Sequence, residues 1–197
     1  MSKIHPQLPE KPLPFSILLV DDSALQLKMR RRTVENYLNF EKYKFEIVTA
    51  TDGAEAISQL DGNKFDLVIT DFSMPNQNGV DLVREIRNRE WMNEEDNPAK
   101  IMIVTTNDLE DLFKEERFEE IAQSIRCETK DSLTSKLIDF MTKSLSAIEE
   151  ERPGYLQKEV TITATPGVQP SSSPSISNRT RSFSDVVQET FGKIFSR

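Results

Sequence analysis

Short apolar runs alternate with amphipathic stretches between residues 16 and 148, and this alternation constrains the fold more than any other feature of the chain. The runs have the length of buried strands, and the stretches between them place apolar residues at helical spacing. Strict alternation predicts an α/β class domain, doubly wound, with a five-stranded parallel sheet and helices on both faces. The predicted strands are 16–20, 44–50, 65–70, 100–105 and 124–127.

Five helices are predicted between and after these strands. The first has Ser23 as its N-cap, and the last is long and amphipathic with apolar residues from Leu133 to Ile148. The apolar stripe of the first helix consists of Ala24, Leu27, Val34, Tyr37 and Leu38. The remaining helices are outlined by apolar residues within 54–60, 80–86 and 109–121.

Composition limits the number of domains and the classes of partner. With 197 residues and 37% hydrophobic side chains, the chain can build one core of ordinary size with appendages. Its formal charge of −8 argues against nucleic acid as the main partner. The only cysteine, Cys127, cannot form an internal disulfide, and no segment has the apolar length of a membrane span. We therefore expect a soluble, cytoplasmic protein.

Four segments follow from changes in composition along the chain. Residues 1–14 carry four prolines and are predicted to be a flexible leader, and residues 15–150 are predicted to form the folded domain. Residues 151–181 are rich in Pro, Ser and Thr, which predicts a disordered linker. Residues 182–197 place large apolar side chains on one side of a short C-terminal helix.

An apolar helix face of this kind needs a surface to cover it. We expect the C-terminal helix to dock on a partner protein, with docking on its own folded domain as the alternative. Residues 179–197 contain four basic and two acidic side chains, which is weak for a membrane anchor and argues against membrane contact.

Polar side chains follow three of the predicted strands at the point where each strand ends. Asp21 and Asp22 follow the first strand, Asp71 follows the third, and Thr105 ends the fourth. Each has an ordinary structural explanation alone, as a helix cap, a turn former or a strand residue. Together, three acids at one sheet edge would repel each other unless a cation lay among them. Oxygen ligands suit Mg²⁺, and no histidine is spaced to make a zinc site.

An acid in such a cluster either holds the metal for another nucleophile or is itself the nucleophile, since carboxylates can form acyl phosphates. Phosphoryl transfer also needs a hydrogen-bond donor and a cation around the transferred group. Thr105 can donate, and Lys130, just after the fifth strand, can supply the cation.

The segments LLVDDS (18–23), DFSMPNQNG (71–79) and IMIVTT (101–106), with a lysine after the fifth strand, resemble the receiver domain of two-component response regulators. The resemblance covers residues 16 to about 148 and implies a flavodoxin-like sheet of order 2-1-3-4-5. It implies that Asp71 is the phosphoacceptor, that Asp22 binds Mg²⁺ directly and that Asp21 assists through water. The backbone carbonyl of Ser73 would complete the protein's share of the metal ligands.

By the same resemblance, Thr105 places its hydroxyl on the phosphoryl group, and the family lysine pairs with another phosphoryl oxygen. Here the sequence departs from the family pattern, because Asp131 stands where a proline usually follows the lysine. Two alignments are open: one assigns Lys130 to the lysine position, and the other assigns Glu128 and removes the cation.

Three functions follow from these residues. The first is a response regulator that is phosphorylated by a sensor histidine kinase or a phosphotransfer protein, and that signals to a downstream protein target. It would not be an enzyme, although it assists its own phosphorylation and dephosphorylation. The second is a degenerate receiver that acts as a phosphorylation-independent interaction module. The third, a Mg²⁺-dependent phosphohydrolase, is disfavoured because Ser73 stands where such enzymes need a general acid.

Overall fold

The computed structural model describes residues 14–75, 77–93, 96–106, 118–131 and 133–158. The predicted C-terminal helix, most of the predicted linker and nearly all of the predicted leader lie outside these residues. No helix in the described part of the chain is both long enough and apolar enough to cross a lipid bilayer.

The core of the fold is one sheet of five parallel strands in the order β2-β1-β3-β4-β5. This confirms the doubly wound α/β fold and the strand order that the resemblance implied. The least apolar of the first four strands, β2, lies at an edge of the sheet and is only partly buried. The strands are β1 (Phe15–Val20), β2 (Phe45–Ala50), β3 (Leu67–Asp71), β4 (Lys100–Thr105) and β5 (Ile125–Thr129).

Four α-helices cover the sheet in the described residues. They are α1 (Ala24–Phe40), α2 (Gly53–Gln59), α3 (Gly79–Met92) and α4 (Leu133–Glu151). The side chains of Ser23, Asp52 and Asn78 cap the first three by accepting a backbone N–H from three residues ahead. The helix predicted at 109–121 lies mostly outside the described residues, and its last residues form a turn before a short 3-10 helix, Ala122–Ser124.

Two apolar cores lie on opposite faces of the sheet, because successive strand residues point to opposite sides. In β1, Ile17 and Leu19 pack into the core beneath α1 and α4, whereas Leu18 and Val20 pack into the core beneath α2 and α3. All four side chains are fully buried, and burial of each stabilises the fold by about 1.5–3 kcal/mol. The central strands are therefore held from both sides.

The residues after α4 turn back onto the base of the sheet, where the strands begin. We name residues 152–158 the C-terminal strap. Arg152 forms an ion pair of 2.7 Å with the buried Asp66, and the Tyr155 hydroxyl donates to Asp66 at 2.9 Å. The backbone N–H of Lys44, just before β2, donates to the carbonyl oxygen of Gln157 at 2.8 Å.

Asp66 is the centre of these contacts, because it also accepts the backbone N–H of Ser16 at 2.9 Å. Arg152 stacks over the Tyr155 ring at 3.9 Å. Burial and the nearby Asp66 carboxylate raise the pKa of Tyr155 to about 12, so its hydroxyl stays protonated and keeps donating. Packed structure thus continues past residue 150, where composition predicts the linker to begin.

Candidate functional site

The ends of β1, β3 and β4 bring the predicted site residues to one edge of the sheet. In the strand register, Val20 lies beside Thr70 and Asp71 lies beside Val104. The residues that follow Val20 therefore lie next to Asp71. This is also where the chain reverses its direction across the sheet, since β1 has β2 on one side and β3 on the other.

The three acids lie together. One carboxylate oxygen from each of Asp21, Asp22 and Asp71 lies within 4.8 Å of the others. Asp21 and Asp71 are buried, and Asp22 is exposed. Asp21 Oδ1 accepts the backbone N–H of Ser23 at 2.8 Å, whereas Asp21 Oδ2 and Asp71 Oδ1 face cationic side chains, at 2.6 Å from Arg30 and 3.1 Å from Lys130. Buried carboxylate oxygens in this state are good ligands for a hard cation, so the cluster fits Mg²⁺.

Lys130 reaches the predicted phosphoacceptor. Its Nζ lies 3.1 Å from Asp71 Oδ1 and 3.2 Å from Oδ2. Its backbone N–H donates to the Thr105 carbonyl at 2.9 Å, which ties the lysine to the end of β4. Glu128 instead pairs with Arg126 and Lys136, at 2.7 and 3.2 Å. Of the two residues that the sequence left open, Lys130 is the one that contacts Asp71.

Burial raises the pKa of Asp71 above its ordinary value, because a dry environment disfavours the charged carboxylate. The hydrogen bond and charge of Lys130 lower it, and the neighbouring Asp21 carboxylate raises it. Asp71 is thus a weakly hydrated carboxylate beside a cation, a suitable environment for an oxygen nucleophile.

The other two predicted residues flank this carboxylate. Thr105 is buried at the end of β4, one residue past Val104, the register partner of Asp71. Ser73 is exposed in the loop two residues after Asp71. All six predicted site residues therefore belong to the same edge of the sheet.

Arg30 is a member of this site that the apolar pattern of α1 missed. Its side chain is 3% exposed, and Nη2 lies 2.6 Å from Asp21 Oδ2 and 3.8 Å from Asp71 Oδ1. Position 30 follows Leu27 by three residues and precedes Val34 by four, so helical spacing alone places it on the buried face. Burial lowers the pKa of Arg30, but a guanidinium stays protonated in proteins. By contrast, Ala24, which the predicted stripe included, is exposed.

The chain matches the family described as "Response regulator receiver domain" over residues 17–125, more than half of its length. The chain belongs to this family. Receiver domains are signalling domains of two-component systems and are generally not enzymes. They generally bind Mg²⁺ at an acidic pocket and interact with histidine kinases or phosphotransfer proteins.

Curated relatives of this receiver domain share its sequence over short stretches. An uncharacterised response regulatory protein of Staphylococcus epidermidis is 38% identical over 74 residues, or 37% of this chain and 28% of the relative. Response regulator SSK1 of Verticillium dahliae is 33% identical over 94 residues, 45% of this chain and 11% of the relative. Sensor protein EvgS of Escherichia coli is 36% identical over 80 residues, 41% of this chain and 6% of the relative. The matched part is thus a minor portion of each relative.

Solved structures show the same fold. A receiver domain protein from Clostridium thermocellum has a TM-score of 0.52 at 22% identity, covering 68% of this chain and 97% of that one. Chemotaxis response regulator CheY4 of Vibrio cholerae has a TM-score of 0.51 at 22% identity, covering 67% and 99%. At this identity the likeness establishes the fold of the receiver domain and nothing further.

The loop after Asp71 ends at Gly79, where the adjacent backbone leaves no room for a side chain. The Gly79 N–H donates to the Phe72 carbonyl at 2.9 Å, and the Phe72 N–H donates to the Val104 carbonyl at 2.8 Å. A Cβ on Gly79 would overlap the backbone carbonyl oxygen of Asp71. The first turn of α3 therefore packs directly on the backbone of the candidate phosphoacceptor.

We expect Gly79→Ala to destabilise the receiver domain by about 1–3 kcal/mol, because backbone must shift to admit the Cβ. Helix propensity alone would favour alanine by about 1 kcal/mol, so the steric contact reverses the sign. Urea unfolding measures the change. Gly62→Ala is the control: it has open space but a positive φ of 86°, so it should cost about 1–2 kcal/mol without touching the site. A stabilised Gly79→Ala protein would contradict the steric argument.

Proposed function

We propose that this receiver domain accepts a phosphoryl group on Asp71 in a Mg²⁺-dependent reaction. The donor would be a sensor histidine kinase or a phosphotransfer protein, and the output would be contact with a downstream protein. The observation that carries this proposal is the environment of Asp71, a buried carboxylate with Lys130 at 3.1 Å and two further acids beside it. Asp71 would be the nucleophile rather than only a metal ligand.

Asp21, Asp22, Asp71 and the backbone carbonyl of Ser73 would hold the Mg²⁺. When bound, this ion neutralises negative charge on the phosphoryl oxygens. An Asp71 oxygen forms a bond to phosphorus, and the bond from phosphorus to the donor histidine nitrogen breaks. The imidazole keeps that electron pair and takes a proton from solvent.

Two side chains act on the transferred group itself. Lys130 moves from the Asp71 carboxylate to a phosphoryl oxygen, which it can reach because it already contacts Asp71. Thr105 donates its hydroxyl to another phosphoryl oxygen. Because the Thr105 carbonyl accepts the Lys130 backbone N–H, a shift at one residue is coupled to the other. We propose that this coupled shift at the ends of β4 and β5 changes the surface that a partner protein binds.

The test is incubation of the full chain with acetyl phosphate, with Mg²⁺ or with a chelator, followed by intact-mass spectrometry. We expect a mass increase of one phosphoryl group only when Mg²⁺ is present. Borohydride reduction of the acyl phosphate, followed by proteolysis, should locate the modification at Asp71. A modification at another acid, or none under any condition, would contradict the proposed phosphoacceptor.

A second function is favoured by one observation, the buried Arg30 beside Asp21 and Asp71. A fixed cation there can neutralise negative charge on the acids without a metal ion. This is expected for a receiver that acts as a phosphorylation-independent interaction module. The absence of any mass increase with acetyl phosphate and Mg²⁺ would support this alternative.

A further inference from the structure

Arg30 is a charged residue on a helix face that is otherwise apolar. Its neighbours on the sheet-facing side of α1 are Leu27, Val34 and Leu38, all buried. Moving a guanidinium out of water costs several kcal/mol unless an opposite charge compensates it. The compensating charge here is Asp21, which is fully buried and lies 2.6 Å away.

The contact between Arg30 and Asp21 is a close, buried ion pair. The Nε, Nη1 and Nη2 atoms of Arg30 are all buried, and none meets hydrogen-bond geometry with a partner. Asp21 Oδ2, the oxygen closest to Arg30, is also without a hydrogen bond. The guanidinium therefore places its positive charge 2.6 Å from Asp21 Oδ2, an oxygen that a metal ion could otherwise bind.

The formal charges of the pocket residues indicate how Arg30 affects the binding of a metal ion. Asp21, Asp22 and Asp71 contribute three negative charges, and Lys130 and Arg30 contribute two positive ones. Counted over the described residues, the pocket therefore carries a net charge near −1, and it would carry −2 without Arg30. A divalent cation is attracted less strongly to the first pocket than to the second, because buried charges at these distances are poorly screened.

We infer that Arg30 is a resident counter-ion that lowers the affinity of the acidic pocket for Mg²⁺ and stabilises the metal-free receiver domain. This inference rests on the proposed Mg²⁺-dependent function and assigns to Arg30 the control of its metal requirement. Arg30 is a positioning residue, because it contacts the acids and not the phosphodonor.

The test is calorimetric titration of MgCl₂ into the metal-free full chain at fixed ionic strength, without a phosphodonor. Arg30→Met keeps a long apolar stem and removes the charge, and Arg30→Lys keeps the charge. We expect Arg30→Met to bind Mg²⁺ at least about tenfold more tightly than the native chain, and Arg30→Lys to stay within about threefold. The matched control is Arg32→Met, which removes the same charge from an exposed position of the same helix and should leave the affinity unchanged.

Stability gives a second readout. Without Arg30, the buried Asp21 has lost its counter-ion, so metal-free Arg30→Met should melt at a lower temperature than the native chain. Saturating Mg²⁺ should raise its melting temperature by more than it raises that of the native chain, because ligand stabilisation grows with affinity. If metal-free Arg30→Met is unfolded, refolding on addition of Mg²⁺ supports the same inference.

The results that would contradict the inference can be distinguished from those that would contradict the proposed function. Equal Mg²⁺ affinity in the native chain and Arg30→Met overturns the inference and leaves the proposed function standing. An Arg30→Met chain that stays unfolded at saturating Mg²⁺ also overturns it, by showing a packing role. Failure of every variant, and of the native chain, to bind Mg²⁺ overturns both the inference and the metal dependence of the proposed function.

Discussion

Asp71→Asn abolishes phosphoryl incorporation from acetyl phosphate, under conditions in which the native chain gains one phosphoryl group. This is the expected result because an amide oxygen is a far weaker nucleophile than the carboxylate it replaces. The substitution keeps the size of the side chain at a position that is buried and packed. Intact-mass spectrometry with and without Mg²⁺ measures the loss.

The same substitution should stabilise the metal-free domain at neutral pH. Burial raises the folded-state pKa of Asp71 above its unfolded value, so ionisation of this carboxyl costs the folded state free energy. That cost is absent below the unfolded pKa, grows as pH rises toward the folded pKa, and is constant above it. Asparagine never ionises, so its advantage should appear at pH 7 and vanish at acid pH.

Asp61→Asn is the matched control for both measurements. Asp61 is an exposed acid, paired with Arg89 at 2.7 Å. We expect it to keep phosphoryl incorporation and to change stability by less than about 1 kcal/mol. Incorporation that survives Asp71→Asn would disprove the assignment of the phosphoacceptor, and urea unfolding with a chelator at two pH values checks the stability claim.

Asp66→Ala lowers the free energy of unfolding by about 2–4 kcal/mol, because it removes a buried carboxylate and leaves three hydrogen-bond donors without their acceptor. Asp66 accepts from Ser16, Arg152 and Tyr155 at 2.9, 2.7 and 2.9 Å. One carboxylate therefore joins the start of β1 to the C-terminal strap. Urea unfolding measures the loss, and proteolysis should cut the strap sooner in the variant than in the native chain.

Asp61→Ala tests whether burial is the cause of this loss. Its ion pair with Arg89 has the same 2.7 Å length as that of Asp66 with Arg152, but the Asp61 side chain is 75% exposed against 5% for Asp66. Exposed pairs contribute about 0–1 kcal/mol, so the control should lose little. Equal losses in the two variants would contradict an anchoring role for Asp66.

The strands and the acidic pocket could be predicted because both depend on local pattern. Apolar runs locate β1, β3 and β4, and the acids follow directly where two of these strands end. A parallel sheet then brings the strand ends together without further information. Arg30 was not predicted, because the buried face of α1 was defined from apolar residues alone. Its position, three residues after Leu27 and four before Val34, is nevertheless on that face.

Contacts between distant residues could not be predicted in the same way. Arg152 and Tyr155 lie in a segment whose Pro and Gly content is typical of a linker, and their partner Asp66 is more than 80 residues away. The choice between Lys130 and Glu128 also required structure, because it depends on the register of β5 against β4, in which Glu128 lies within the strand and Lys130 follows its last residue. Pairing of β5 with β4 brings Lys130 to Asp71 and gives Glu128 to Arg126.

The C-terminal strap also determines where a reporter group can be attached. Lys158 lies beside Tyr43, two residues before β2 begins, whereas Asp71 lies where β3 ends. The six residues of β2 span about 20 Å, so a dye coupled at position 158 would start roughly that far from Asp71. Such a dye would leave the approach of a kinase to Asp71 open, and its fluorescence would report on the base of the sheet rather than on the site itself.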